Sequence, residues 1–308
     1  MNYDEQHRKH LIDYLQQIER LFYQWVGFSV SLALKTDFQE LVTSTLFAFA
    51  ATKKGKAFDK ELARFSNQLD QIIKQGITKE WAFANLKQDK LLREGLTKYQ
   101  NLEALEAFKE RKIKDFTVSN RVWDIAKKAQ SEIELALSVS LEEGKSAVQL
   151  SREVRNLLNN PTALFRRVRD KYGNLVLSKN AQNYHPGQGV YRSAYKNALR
   201  LASNEINVAY KSADWLRIQQ NPDIVGFEVR LSPQHKVYDM CDQLKGKYPK
   251  SFRFHGWHVG CKCHIITILK TDEELIKELK ADETLPPESS SNYVGDVPNN
   301  YKQWVTDN

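Results

Sequence analysis

The fold turns on one stretch near the C-terminal end: His235-Lys-Val-Tyr-Asp239-Met-Cys241-Asp242, then Gly246-Lys247-Tyr-Pro249, then His255-Gly-Trp257-His258-Val-Gly-Cys261-Lys-Cys263-His264. All three cysteines of the chain and four of its seven histidines lie within it. Crowding of this kind calls for a metal, for sulfur chemistry or for catalysis. A metal reading starts from Cys261 and Cys263, two apart, which on an extended strand point their thiols to the same face. Cys241 then supplies a third ligand, and one of His258, His255, His264 or His235 the fourth. His258 is preferred because it sits on the turn just before Cys261. Four Cys and His ligands in a tetrahedron are the pattern of structural Zn2+. A disulfide from Cys241 to Cys261 or Cys263 is the sulfur alternative. The catalytic alternative draws His235 and Asp239, four apart, with Cys241 as a nucleophilic set, or with Glu205 as nuclease-like groups. Asp239 and Asp242 beside a turn read equally well as helix N-caps.

Outward from that stretch, Phe227, Val229 and Leu231 alternate with Glu228 and Arg230, as a half-buried strand does, and a second strand is expected over Cys261 to Leu269. Upstream, Tyr191 to Ile218 reads as a long helix stopped by Asn221-Pro222. Its small-residue stripe, Ala194, Ala198, Leu201, Ala202, Ala209, Ala213 and Leu216, carries one carboxylate, Glu205. A carboxylate there needs a partner, with Arg192, Arg200, Arg230 and the histidines as candidates. Gly173-Asn174 marks a hairpin turn, and Ser146 an N-cap for a helix burying Leu150, Val154, Leu157 and Leu158.

The first half reads as helix. Leu11, Tyr14, Leu15, Ile18, Leu21, Phe22 and Trp25 form one stripe. Phe58, Leu62, Phe65, Leu69 and Ile72–Ile73 form a second that ends near Gly76, the segment from Asn85 to Lys114 is helical in composition, and Trp123, Ala126, Ile133, Leu137 and Leu141 form another stripe. The expected class is α+β and predominantly helical: an extended helical docking part over 1–145, a small α+β lobe with the Cys/His-rich motif over 146–270, and an acidic, partly flexible tail over 271–308.

Composition bounds the function. The net charge is +8, with 41% hydrophobic and 27% charged residues, ordinary for a globular protein. From Thr271 onward nine acids face three lysines, a balance of −6, which leaves +14 on residues 1 to 270. A basic body favours polyanions such as DNA through counterion release, although lysine-rich solvated helix faces produce the same count. The longest apolar run, Leu41 to Ala51, is too short and too polar to span a bilayer. Without a basic start and apolar core at the N-terminus, synthesis in a reducing cytosol is expected, where thiols are free, catalytic or metal-bound.

Several of these residues also occur together in a known family. Arg200-Leu-Ala-Ser-Asn-Glu205-Ile-Asn-Val-Ala-Tyr210, Asp239-x-Cys241-Asp242, Leu244-x-Gly246-Lys247, Pro249 and Gly256-Trp257-His258-Val-Gly-Cys261-Lys-Cys263 resemble the phage Mu F-like head-morphogenesis proteins, which are minor capsid proteins. The resemblance spans roughly residues 120 to 270, with specificity in the combination rather than in any one motif. It also departs from the family, which reads Arg-Thr-Glu where this chain has Ser203-Asn204-Glu205, and His-Pro where Val259 follows His258. The resemblance implies a non-enzymatic virion component, made in the host cytoplasm and associated with portal and capsid proteins and the head interior. It implies a part in assembly and in packaging or delivery of DNA. The rival readings are a virion-carried nuclease-like effector and a zinc-stabilised nucleic-acid-binding module.

Overall fold

The computed structural model describes residues 3–36, 47–91, 100–142, 147–159, 167–169, 171–173, 175–177, 193–233 and 235–307. About two thirds of these residues are helical, and a small three-stranded antiparallel sheet completes an α+β, mostly helical fold. In order, the helices are α1 (Tyr3–Ala33), α2 (Gly55–Leu91), α3 (Leu102–Glu110), α4 (Val118–Glu142), α5 (Ala147–Asn159) and α6 (Ala194–Gln220). The short pair β1 (Arg167–Arg169) and β2 (Leu175–Leu177) stands between α5 and α6. After α6 come β3 (Ile224–Arg230), α7 (Met240–Leu244), β4 (Gly246–Tyr248), β5 (His264–Leu269), α8 (Asp272–Ala281) and α9 (Asn299–Asp307). No described helix is long and apolar enough to cross a membrane.

The described chain forms two compact units, each assembled from separated stretches, where a linear division at 145 and 270 was expected. One comprises Met1–Leu11, Gly76–Phe108 and Ser203–Asn308; the other comprises Ile12–Gln75 and Lys109–Ala202. The second is a helical body. The α1 stripe is buried as its period requires, with Ile18, Phe22 and Trp25 inside. Trp25 lies 5.1 Å from Phe65 and 5.0 Å from Phe58, ring centre to ring centre, and Phe22 meets Phe65 edge-on at 4.9 Å. Along α4 the buried stripe is Val118, Val122, Ala126, Ala129, Ile133 and Leu137, while Trp123 faces outward. Glu132 of α4 accepts the Ala194 N–H at 2.8 Å and so caps the start of α6. The expected hairpin is present, with Arg167 opposite Leu177 and Gly173 at φ 85°. In α5, Val154 is buried. Ser146, Arg192 and the segment 41–46 fall outside the described residues, as do the side chains of Leu141, Leu150, Leu157 and Leu158.

Gly76 does not end α2, which runs through it to Leu91. A mid-helix glycine costs about 1 kcal/mol, and the buried Leu69, Ile73, Ile77 and Trp81 on either side hold the helix together across it.

The first unit contains the sheet, in the order β4-β3-β5. Phe227 stands opposite Tyr248, and Val229 opposite Ile265. Their inward faces join Ile218 of α6 and the three cysteines in one core, against which Phe252, Trp257 and Tyr301 pack. Residues 271 to 307, expected as a partly flexible tail, carry helical structure. Thr271 and Glu274 form a capping box for α8. Glu274 also receives the Ser290 hydroxyl at 2.7 Å and the Ser291 N–H at 2.8 Å. The Val294 N–H donates to the Val225 carbonyl at 3.2 Å, and Tyr301 of α9 meets Phe252 edge-on at 5.2 Å. Polar side chains used for hydrogen bonding fix this segment together with the packing of Val297 and Tyr301 against the core.

Candidate metal centre

Cys241 enters on α7, a single short helix whose N-cap is Asp239. The Asp239 side chain accepts the Cys241 N–H at 2.7 Å, while Asp242 Oδ2 accepts the Asp239 N–H at 3.0 Å. That reciprocal box fixes the first turn and sets the Cys241 side chain inward, where it is buried. Cys261 and Cys263 do not lie on a strand, because β5 begins only at His264. A turn positions them: the Cys261 N–H donates to the His258 carbonyl at 3.0 Å, with Gly260 at φ 77°. At Gly256 a side chain is excluded, since its φ is 110° and an added Cβ would stand 3.2 Å from Cys261 Cβ. Cys261 is therefore placed by a glycine-bearing turn and not by strand alternation.

Cys241 Sγ lies 3.7 Å from Cys261 Sγ and 3.2 Å from His258 Nε2. The ligand atoms of Cys241, His258 and Cys261 are all within 4.8 Å of one another, and this cluster could hold a metal ion. His258 Nδ1 is 3.0 Å from the Val259 carbonyl. Donation there leaves Nε2, the nitrogen facing the thiols, as the lone-pair donor. Cys263, expected as one of the four ligands, is buried in the same core but is not part of this cluster. The disulfide alternative is not met, since all three cysteines are free. The 3.7 Å separation is far beyond the roughly 2.05 Å of an S–S bond.

The electrostatics favour one thiolate in this group. The Cys261 thiol is pulled below its ordinary value, first by the hydrogen bond from Cys263 and further, against the cost of burial, by Lys211. Cys263 is pushed up by that same bond, and Cys241 by burial. The Lys211 ammonium donates to the Cys261 carbonyl at 2.8 Å, and Asn207 Nδ2 donates to the same oxygen at 2.9 Å. Burial lowers the Lys211 pKa, partly offset by the cysteines.

The turn is tied further into the unit. His7 Nε2 lies 3.3 Å from Asn207 Oδ1, and its Nδ1 lies 2.7 Å from Glu80. His10 lies 2.8 Å from the other Glu80 oxygen. Glu80, His7, Asn207 and Lys211 were not singled out from the sequence. Glu80 had a signal of the kind read for Glu205, a carboxylate among Ile73, Ile77, Trp81 and Ala84 on a buried stripe.

The catalytic alternative is placed as follows. His235 Nε2 is 2.7 Å from Asp242 and 3.7 Å from Asp239, and these three form a second cluster. Both carboxylates are committed to the α7 cap, and Asp242 is held below its usual range by the Asp239 N–H and by His235. Glu205 is fully buried on α6 and belongs to neither cluster. Of its proposed partners, Arg230 instead pairs with Glu228 at 2.7 Å on β3. His255 and His264 are in neither cluster. No protein-family model, curated protein or solved structure matches this chain.

Proposed function

We propose that this chain is a non-enzymatic minor head protein of a tailed phage or prophage, of the Mu F-like head-morphogenesis kind. In this reading its C-terminal lobe is pinned by one zinc ion on Cys241, Cys261, Cys263 and His258. The observation that carries the reading is the meeting of the Cys241 and Cys261 thiols with the His258 imidazole, with Cys263 buried in the same core, inside the stretch where the resemblance lies. Tetrahedral Zn2+ with Zn–S of about 2.3 Å places two sulfurs roughly 3.8 Å apart, and Cys241 and Cys261 stand at 3.7 Å. A donor set of thiolates and one imidazole suits zinc over harder cations. Such a site, closed by four protein ligands, stabilises a fold and leaves no position open for substrate. The use of Asp239 and Asp242 as caps supports the same structural reading. The protein would act in the host cytoplasm during assembly and then in the virion, against portal and capsid proteins. The +14 balance of residues 1 to 270 suits contact with packaged DNA.

Metal analysis of protein purified under reducing conditions should find about one zinc per chain, as a four-ligand site requires, and chelation should lower its melting temperature. Protein that is metal-free and indifferent to zinc would remove the zinc claim. Virions of the encoding phage should contain the chain in few copies, and deletion of its gene should abolish infectious heads. A nuclease is tested by incubation with DNA and RNA: cleavage lost in His235→Ala or Glu205→Gln would replace the structural reading with the effector one. A steep fall in DNA affinity with salt, in a chain absent from virions, would favour the nucleic-acid-binding module.

A further inference from the structure

The Cys261 carbonyl takes two donors from α6, Lys211 Nζ at 2.8 Å and Asn207 Nδ2 at 2.9 Å, and both side chains are buried. Two donors occupy both lone pairs of that oxygen, which fixes the peptide plane and with it the direction of the Cys261 side chain. Asn207 can do this in only one of its two amide orientations, because the flipped amide would set its oxygen against the carbonyl. The orientation is selected by His7, whose Nε2 lies 3.3 Å from Asn207 Oδ1.

His7 is held in turn. Its ring stacks on Tyr210 of α6 with centres 4.0 Å apart, and its Nδ1 lies 2.7 Å from Glu80 of α2. The other Glu80 oxygen faces His10 at 2.8 Å, and the Tyr210 hydroxyl donates to Asp4 at 3.2 Å. Asn207, Tyr210 and Lys211 stand three and four apart, so they share one face of α6. That face is therefore a common platform, gripping the Cys261 turn on one side and the first turns of α1 on the other. All of these residues belong to the same compact unit.

We propose that residues 3–11 form a strap whose seating on α6 is coupled to metal binding at Cys241, Cys261 and His258, through His7, Asn207 and the Cys261 carbonyl. The coupling rests on the zinc reading of that cluster. It is reciprocal by linkage: the factor by which the seated strap tightens zinc is the factor by which zinc tightens the strap. Couplings of this kind amount to about five- to 150-fold in affinity. Whatever draws residues 3–11 off α6 therefore loosens the metal, which makes this segment a regulatory input to the site.

The test is the zinc affinity of the full chain, by competition with a chromogenic chelator, beside thermal melts of zinc-loaded and chelated protein. His7→Ala should weaken zinc binding at least about fivefold and lower the melting temperature of the loaded protein more than that of the chelated protein. Asn207→Ala should do likewise, and the double variant should lose no more than Asn207→Ala alone, because His7 acts through Asn207. Lys9→Ala, on the exposed side of the same turns, should leave the affinity unchanged. In the wild type, which needs no variant to fold, chelation should speed amide exchange at residues 7–11. Equal lowering of the two melting temperatures marks a merely structural role for His7 and overturns the coupling. So does exchange at 7–11 that is indifferent to chelation. Wild type that binds no zinc sinks the zinc reading and the strap with it, whereas wild type and His7→Ala that bind zinc equally sink the strap alone.

Discussion

Asp239 Oδ1 caps the Cys241 N–H at 2.7 Å, and its carboxylate also stands 3.7 Å from His235 Nε2 and 3.4 Å from His258 Nε2. Asp239→Ala removes the cap and should cost about 1 kcal/mol, the usual worth of an N-cap. Asp239→Asn keeps an acceptor for the cap and should retain most of that stability. Thermal melts of the two variants check this, and an Asn variant that falls as far as the Ala variant would assign the effect to charge instead. Lys211 offers a second test. Removing a cation beside Cys261 raises the thiol pKa, and protons compete with metal for thiolate. Lys211→Met should therefore move the pH at which bound zinc is lost upward, as read by a zinc-sensitive dye. At this scale the cluster of Cys241, Cys261 and His258 was legible because their chemistry is written in residue type and close spacing. The supports were not. His7, Glu80, Asn207 and Lys211 come from three separate segments, and nothing in local sequence says that they meet.

Among elements, β3 and the segment after α8 are matched to each other at Gly226. A Cβ there would lie 2.7 Å from Val294 Cγ2 and 2.8 Å from its Cβ, and the Val294 N–H is already bonded to Val225. Gly226→Ala should destabilise by roughly 1–3 kcal/mol, the range for overpacking. Combining it with Val294→Ala should recover part of the loss, which a double-mutant cycle in urea would measure. The acid sensitivity of this segment follows from Glu274, held down to about 2 first by the Ser290 hydroxyl and then by the Ser291 and Thr271 N–H groups. A depressed carboxyl contributes fully above its unfolded value of 4.5 and loses that contribution as pH falls toward about 2. Amide protection factors around 287–294, with the intrinsic pH dependence of exchange divided out, should accordingly fall over that interval and stay flat above it. Amphipathic period revealed α1, α4 and the length of α6. It did not reveal that α2 continues past Gly76, because packing by Ile73, Ile77 and Trp81 outweighs one glycine's propensity. Nor did it reveal the order beyond Thr271, where capping and hydroxyl bonds substitute for an apolar stripe.

For the whole molecule, the cysteines lie in only one of the two compact units, the one containing Ser203–Asn308. Chelation should therefore speed amide exchange in α7 and around 255–265 while leaving α4 unchanged. Uniform acceleration would mean that the metal governs the entire chain. The division into two units was not legible because each is built from non-contiguous stretches, and a left-to-right reading of composition cannot show which stretches rejoin. That same threading sets an order for biosynthesis. His7 meets Asn207 and Asp4 meets Tyr210, partners 200 and 206 positions apart. The opening turns of α1 leave the ribosome with their carboxylate and imidazole groups uncovered, and they wait through most of translation for α6 to arrive. Contacts this distant close slowly. The unit that holds the cysteines is thus completed late, and an interrupted polypeptide lacking α6 would leave the side chains of Asp4 and His7 without these partners and open to quality-control proteases.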